Sequence, residues 1–248
     1  MTDKTAYDLD LSERQIRDIT EFIYDYEIPK AESAEGRDVQ ILGNLAFIPA
    51  LAEKICGMGK ARAYIISGGI NPRYSQPENK HEAMLVENLY MGGWPYAKKG
   101  EMFKLPEAYL IKAALTHAIP RFDRIPARLE AESTNTYENF SLSYDLGHYK
   151  DVLSLVIVTT AENALRALGS ARAVLPSCTK AEAAPYVASI PPLEAFADRE
   201  RWMDHPLSRG LILSEIAECY EYSRRGGIAL SKDKAALLDQ ITQSLKTR

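Results

Sequence analysis

The run Ser154-Leu155-Val156-Ile157-Val158-Thr159-Thr160 is apolar and β-branched without interruption until its last two residues. A strand that faces water on one side alternates polar and apolar residues. One that does not has to be covered on both sides, which is the mark of a parallel sheet held between helical layers. Two further runs read the same way. Asp38-Val39-Gln40-Ile41-Leu42-Gly43-Asn44 closes at Gly43, and Ala63-Tyr64-Ile65-Ile66-Ser67-Gly68-Gly69-Ile70 runs into a glycine pair. Stretches of helical periodicity separate them, so the pattern predicts an α/β protein with a doubly wound, mainly parallel sheet and helices on both faces.

The helices are placed by their caps and apolar faces. Ser12 and Gln15 have the spacing of a capping box, with Leu11 and Ile16 as a staple, and Ile16, Ile19, Ile23 and Tyr26 continue one face over a helix at 12–28. Leu45, Ile48, Leu51, Ala52 and Ile55 form a second helix that Gly57 and Gly59 stop. Further helices are expected over 80–89, 107–117, 161–173 and 211–222, a short strand over 185–192, and a final amphipathic helix over 232–245. The whole chain of 248 residues reads as one domain. Its core spans about 38–192, and a helical C-terminal extension covers 193–248.

Composition narrows the function classes. A net charge of −4 supplies no basic face for phosphate backbones, which argues against a nucleic-acid partner. No apolar run has the length of a membrane span. The polar start Met1-Thr2-Asp3-Lys4 lacks the basic and apolar regions of a signal peptide, and a cytoplasmic protein is expected. Cys56, Cys178 and Cys219 are scattered and odd in number, so neither a disulfide framework nor a metal site is expected. His81, His117, His148 and His205 likewise lack metal-ligand spacing. A small-molecule ligand is the default partner.

Chemistry concentrates where strands end. In a doubly wound sheet the ligand lies outside the carboxyl ends of the strands. Those ends here carry Gly43-Asn44, Ser67-Gly68-Gly69, Glu132-Ser133-Thr134 and Thr159-Thr160. The densest of them is Glu132-Ser133-Thr134-Asn135-Thr136-Tyr137-Glu138-Asn139, which follows the strand-like Arg124–Ala131 and precedes an apolar pattern at Phe140, Leu142, Tyr144 and Leu146. Hydroxyls and amides at such a junction cap a helix, and a helix start can also hold an anion. A capped turn needs one such residue, so two carboxylates in the same octet point to a site as well. The chain has no Gly-x-Gly-x-x-Gly, no Walker-type phosphate loop and no Gly-x-Ser-x-Gly elbow.

Taken together, Leu-Gly-Asn, Ile-Ser-Gly-Gly-Ile, Glu-Ser-Thr-Asn-Thr-Tyr-Glu-Asn and the Val-Thr-Thr strand with its following arginine resemble the YdcF-like proteins, relatives of SanA and ElyC. The resemblance covers roughly 38–175, and more loosely the stretch from Pro206 to Gly227. It implies a Rossmann-like α/β fold, and the YdcF branch implies binding of S-adenosylmethionine. The SanA and ElyC branches carry membrane anchors, for which this chain shows no segment. The resemblance also matches Glu107-Ala108 at a helix start and Arg166. Where relatives often have a histidine, this chain has Asn163.

The expected roles follow. Glu132 accepts ribose or amine protons or serves as a general base, a role that needs burial to raise its pKa. Asn135 and Asn139 bind a carboxylate or hydroxyl, and Arg166 pairs with an anionic group. Gly43, Asn44, Ser67, Gly68, Gly69, Glu107, Ser133, Thr134, Thr136, Thr159 and Thr160 line the cofactor site. Three functions stay open at this point. One is a group-transfer enzyme using S-adenosylmethionine or a related nucleotide, and another a hydrolase or transferase for a phosphorylated or glycosylated substrate. The third is a ligand-sensing module that Asn163 would suit. The segment 74–105, with Gly92-Gly93-Trp94-Pro95, has the composition of a lid.

Overall fold

A computed structural model of the chain describes residues 10–24, 29–42, 45, 48–71, 102–186, 199, 202–204 and 206–246. Five strands, β1 (Asp38–Leu42), β2 (Ala63–Ser67), β3 (Ala127–Glu130), β4 (Ser154–Thr160) and β5 (Lys180–Tyr186), form one sheet in the order β3-β2-β1-β4-β5. Every pairing is parallel. The expected Rossmann-like architecture is therefore present. The sheet grows outward from β1 in one direction and then, from β4, in the other.

Seven helices surround it among the described residues: α1 (Glu13–Ile23), α2 (Ile48–Gly57), α3 (Glu107–Ala118), α4 (Thr136–Asp145), α5 (Ala164–Val174), α6 (Pro206–Arg224) and α7 (Lys232–Lys246). Alternation along the strands sorts them into two layers. Val39, Ile41, Tyr64, Ile66, Val156 and Val158 face α2 and α3. Leu42, Ile65, Leu155 and Ile157 face the layer built from α1, α4, α5, α6 and α7. Because both faces are covered, β1 and β2 are buried at every residue, as their unbroken apolar runs require.

Local chemistry explains the element ends. The Ser12–Gln15 capping box forms in both directions, with the Gln15 N–H donating to Ser12 Oγ and the Ser12 N–H to Gln15 Oε1. Three expectations shift. The last strand is Lys180–Tyr186, earlier than 185–192, because Lys-Ala-Glu-Ala-Ala has alternation without strand-forming bulk. In α4 the inward face is Thr136, Phe140 and Ser143, while Tyr144 and Leu146 are exposed. The inner face of that helix is half polar, which hid it from an apolar pattern. The last long helix runs from Pro206 to Arg224, well before Leu211. The helix expected over 80–89 and most of the proposed lid fall outside the described residues.

Two polar contacts tie β1 to its surroundings, one part-buried at the edge and one buried in mid-sheet. At the amino edge, the fully buried Asp38 receives Arg62 Nε at 2.9 Å and Nη2 at 2.5 Å, and the same Nη2 reaches the Asp151 carbonyl at 2.9 Å. In mid-sheet, Gln40 accepts from the Tyr149 hydroxyl at 2.9 Å and donates to Ser67 Oγ at 2.5 Å. Arg62→Ala leaves the Asp38 carboxylate buried without its cation. It is expected to lower the unfolding free energy by about 1–3 kcal/mol, read from the urea midpoint at unchanged slope. A midpoint equal to that of the parent would show that the pair does not hold the edge.

Candidate functional site

Because the sheet is parallel, the ends singled out in the sequence share one edge. Leu42 stands opposite Ser67 and Ser67 opposite Glu130, while Ile41 stands opposite Val158, so Thr159 and Thr160 continue past it. Gly68 and Thr160 therefore flank the end of β1 at the same height, two strand spacings or roughly 10 Å apart. This is where the strand order reverses, with α2 leaving β1 on one face and α5 leaving β4 on the other. Gly43 and Asn44 lie outside the described residues.

The glycine pair of β2 is bonded on three sides. Gly68 N–H donates to the Glu130 carbonyl at 3.0 Å and Gly69 N–H to the Ser133 carbonyl at 2.8 Å. In return the carbonyls of Gly69 and Gly68 accept from Glu107 and Ala108, the first N–H groups of α3, at 3.0 and 2.8 Å. A Cβ on Gly69 would stand 2.5 Å from the Ser133 oxygen, and one on Gly68, where φ is +148°, 2.9 Å from Glu107 Cβ. The close approach these glycines permit is that of neighbouring chain segments. The first turn of α3 is thereby capped by backbone and is not left open to an anion.

The octet is likewise tied to itself. Asn135 is the N-cap of α4, its Oδ1 accepting from Glu138 N–H at 3.0 Å. Glu138 Oε2 accepts from the N–H and hydroxyl of Thr134 at 2.7 and 2.8 Å, and Ser133 Oγ donates to Asn139 Oδ1 at 2.5 Å. Ser67 Oγ lies inside, 3.0 Å from Ser143 Oγ and 3.3 Å from the Asn139 carbonyl. Glu132 is exposed, so the burial that a general base would need is not met there.

Arg166 is buried and fully engaged. Its Nε and Nη2 form a bidentate pair with Glu215 at 2.6 and 2.8 Å; Nη1 donates to Thr136 Oγ1 at 2.8 Å and meets Glu218 at 2.6 Å. Burial works against its charge, yet the carboxylates of Glu215 and Glu218 hold it protonated well above its ordinary range. The guanidinium joins α5 to α6 and to the start of α4. Thr159 Oγ1 accepts from Asn163 Nδ2 at 3.1 Å, so Asn163 secures the end of β4.

Three acidic residues that the sequence reading did not single out belong to this edge. Glu130, 1 % exposed, closes the β3–α4 turn by accepting at Oε1 from the N–H groups of Glu132 and Ser133 at 2.6 and 2.7 Å. Glu215 is the partner of Arg166. Glu162 lies two residues past Thr160, and its position just beyond the strongest strand was the signal that could have found it. Burial of its carboxyl raises its pKa to about 7, against opposing hydrogen bonds that include one from Thr160. Glu107, already expected here, is raised to about 7 by burial as well, with Asn71 Nδ2 at 3.5 Å opposing. Each of the two residues as a whole is partly accessible.

Among the described residues no group of three or more His, Cys, Asp or Glu is placed to hold a metal ion, and no helix is long and apolar enough to cross a membrane. A concavity of about 330 Å³ between the end of α5 and the start of β5, lined by Pro29, Arg172, Leu175 and Lys180, is on the opposite edge of the sheet.

Gly69→Ala is expected to cost about 1–3 kcal/mol, measured by urea unfolding, since the added methyl meets backbone on β3–α4. A neutral effect would mean that the three-way contact is loose. Glu107 and Glu162 also make stability depend on pH. Folding raises their pKa, so the contribution is complete below the ordinary carboxylate range and is lost as pH rises through about 7. The melting temperatures of Glu107→Gln and Glu162→Gln are expected to fall less than the parent's between pH 5 and pH 8; parallel curves would overturn the assignment. No protein-family model matches the chain, and no curated protein is similar enough in sequence to count as a relative.

Proposed function

We propose that the chain is a cytoplasmic YdcF-like protein that binds S-adenosylmethionine or a related nucleotide at the carboxyl ends of β1 and β4. In this reading it is an enzyme that transfers a group to a small polar metabolite. The observation that carries the proposal is the reversal of strand order between β1 and β4, with polar and glycine-bearing ends on β2, β3 and β4 at the same edge. Glu132, exposed beside Gly69, offers its carboxylate to ribose hydroxyls or an amine.

A second reading, a hydrolase or transferase acting on a phosphorylated or glycosylated substrate, is favoured by one specific feature. Glu107 and Glu162 are carboxyl groups held near half-protonation at neutral pH beside the same crevice. The Arg166 guanidinium, already matched by Glu215 and Glu218, would not be the phosphate ligand in that scheme.

Isothermal titration of the ligand-stripped protein with S-adenosylmethionine, ATP and a sugar phosphate separates the readings. The first predicts saturable binding of S-adenosylmethionine that weakens at least about tenfold, or 1.4 kcal/mol, in Glu132→Gln. That variant is preferred to Asn135→Ala, because Asn135 caps α4 and its loss would disturb the fold as well. Binding of the sugar phosphate alone would move the assignment to the second reading. Unchanged affinity in Glu132→Gln would remove that residue from the site.

A further inference from the structure

The concavity of about 330 Å³ at the other edge of the sheet is bounded by the last turn of α5, the turn 176–179, the start of β5 and Pro29. Backbone bonds hold its walls. Thr179 N–H donates to the Pro176 carbonyl at 2.9 Å, and Lys180 N–H to the Leu153 carbonyl at 2.9 Å. On the far side of β5, Ala183 N–H donates to the Pro29 carbonyl at 2.8 Å, and Ala31 N–H to the Ala183 carbonyl at 2.8 Å. The cavity is therefore formed before any ligand arrives, and its size is at the lower end of small-molecule sites.

Its charges are unbalanced. Glu182, the lining carboxylate, is already engaged, with Arg37 Nη2 2.7 Å from its Oε2 and Lys180 Nζ 2.8 Å from its Oε1. Arg37 is itself anchored, donating from Nε to Ser154 Oγ at 2.8 Å. Arg172 is left over. A cation in the last turn of α5 suits the helix carbonyls, but no described residue supplies its guanidinium with a carboxylate. Three cations thus accompany one carboxylate, in a chain whose net charge is −4. The local field runs against that of the whole molecule and favours an anion. Ser177 adds a hydroxyl that bonds no described residue, while Pro29, Leu175 and Ala181 make the lining partly apolar.

We propose that this cavity binds a phosphate group carried on a small, compact body, at a site separate from the carboxyl edge. Arg172 presents a fork of N–H donors that matches two oxygens of such a group. The Lys180 ammonium, which has three protons and gives one to Glu182, and the Ser177 hydroxyl are available to a third. A carboxylate has only two oxygens and would leave donors unused. A phosphate monoester uses them all, and the apolar part of the lining takes its carbon atoms.

The test titrates the full chain with glycerol 3-phosphate and with acetate by calorimetry at one ionic strength. Saturable binding of the ester is expected, at least about tenfold tighter than that of acetate. Arg172→Gln, at an exposed and unpaired position, is expected to weaken it at least about tenfold. Ser177→Trp keeps every charge but fills the concavity, and the same loss is expected. Arg225→Gln, beyond the end of α6, changes the net charge equally and is expected to shift affinity less than about threefold, because distant surface charges are screened. Equal losses in Arg172→Gln and Arg225→Gln, or full binding in Ser177→Trp, would reveal attraction to diffuse surface charge and overturn the site. Acetate bound as tightly as the ester overturns the phosphate class, and no saturation by about 10 mM overturns the proposal as a whole. A response that survives Arg172→Gln and disappears in Glu132→Gln would place the ester at the carboxyl edge instead, which also overturns it.

Discussion

The structure at the carboxyl edge depends on the two-way hydrogen bonding of Gly68 and Gly69. Their N–H groups go to β3 and to the turn that follows it, and their carbonyls go to the first turn of α3. Four backbone bonds thus fix the end of β2, the start of α3 and the entry to α4 in one arrangement, without any side chain. The geometry demands the absence of a Cβ at both positions, since Ser133 and Glu107 already fill that space. Because the helix start is capped by a neighbouring loop, it needs no Ser or Asp, and Pro106 can stand at its N-cap.

A second constraint ties this edge to the interior. Gln40, in the middle of the central strand, links Tyr149 to Ser67, and Ser67 links to Ser143 and the Asn139 carbonyl on α4. A polar residue in the centre of a parallel sheet is costly unless its donors and acceptor are used. Here they are used to orient α4 over β1 and β2. That explains why α4 turns Ser143 toward the sheet alongside Phe140, a face no apolar periodicity would reveal.

How legible the fold was depended on whether an element is held by apolar burial. The strands β1, β2 and β4 could be read because Val, Ile and Leu fill them, and α1 because Ser12 and Gln15 cap it. The strand β5 and the inner face of α4 were misplaced because Ala, Ser and Thr do the packing there. At the candidate site the strand ends were legible as a set, since a parallel sheet forces them onto one edge. Their partners were not. That Glu130 bends back on Glu132 and Ser133, or that Glu215 crosses from α6 to Arg166, depends on contacts between residues distant in sequence or on a turn geometry that residue type does not encode.

The dense octet illustrates the general point. Its Asn135 amide and Glu138 carboxylate satisfy the backbone of the β3–α4 junction, its hydroxyls bond side chains, and Arg166 is satisfied by Thr136, Glu215 and Glu218. Groups so engaged are poor proton carriers, because an ion held by several hydrogen bonds has its protonation state fixed. Proton transfer needs groups whose two states are close in free energy. Burial moves a carboxyl toward that condition, and it raises the pKa of Glu107 and Glu162 to about 7. Polar density along a sequence therefore marks where this edge is built, while the carboxyls that burial shifts upward, Glu107 and Glu162, lie outside the octet.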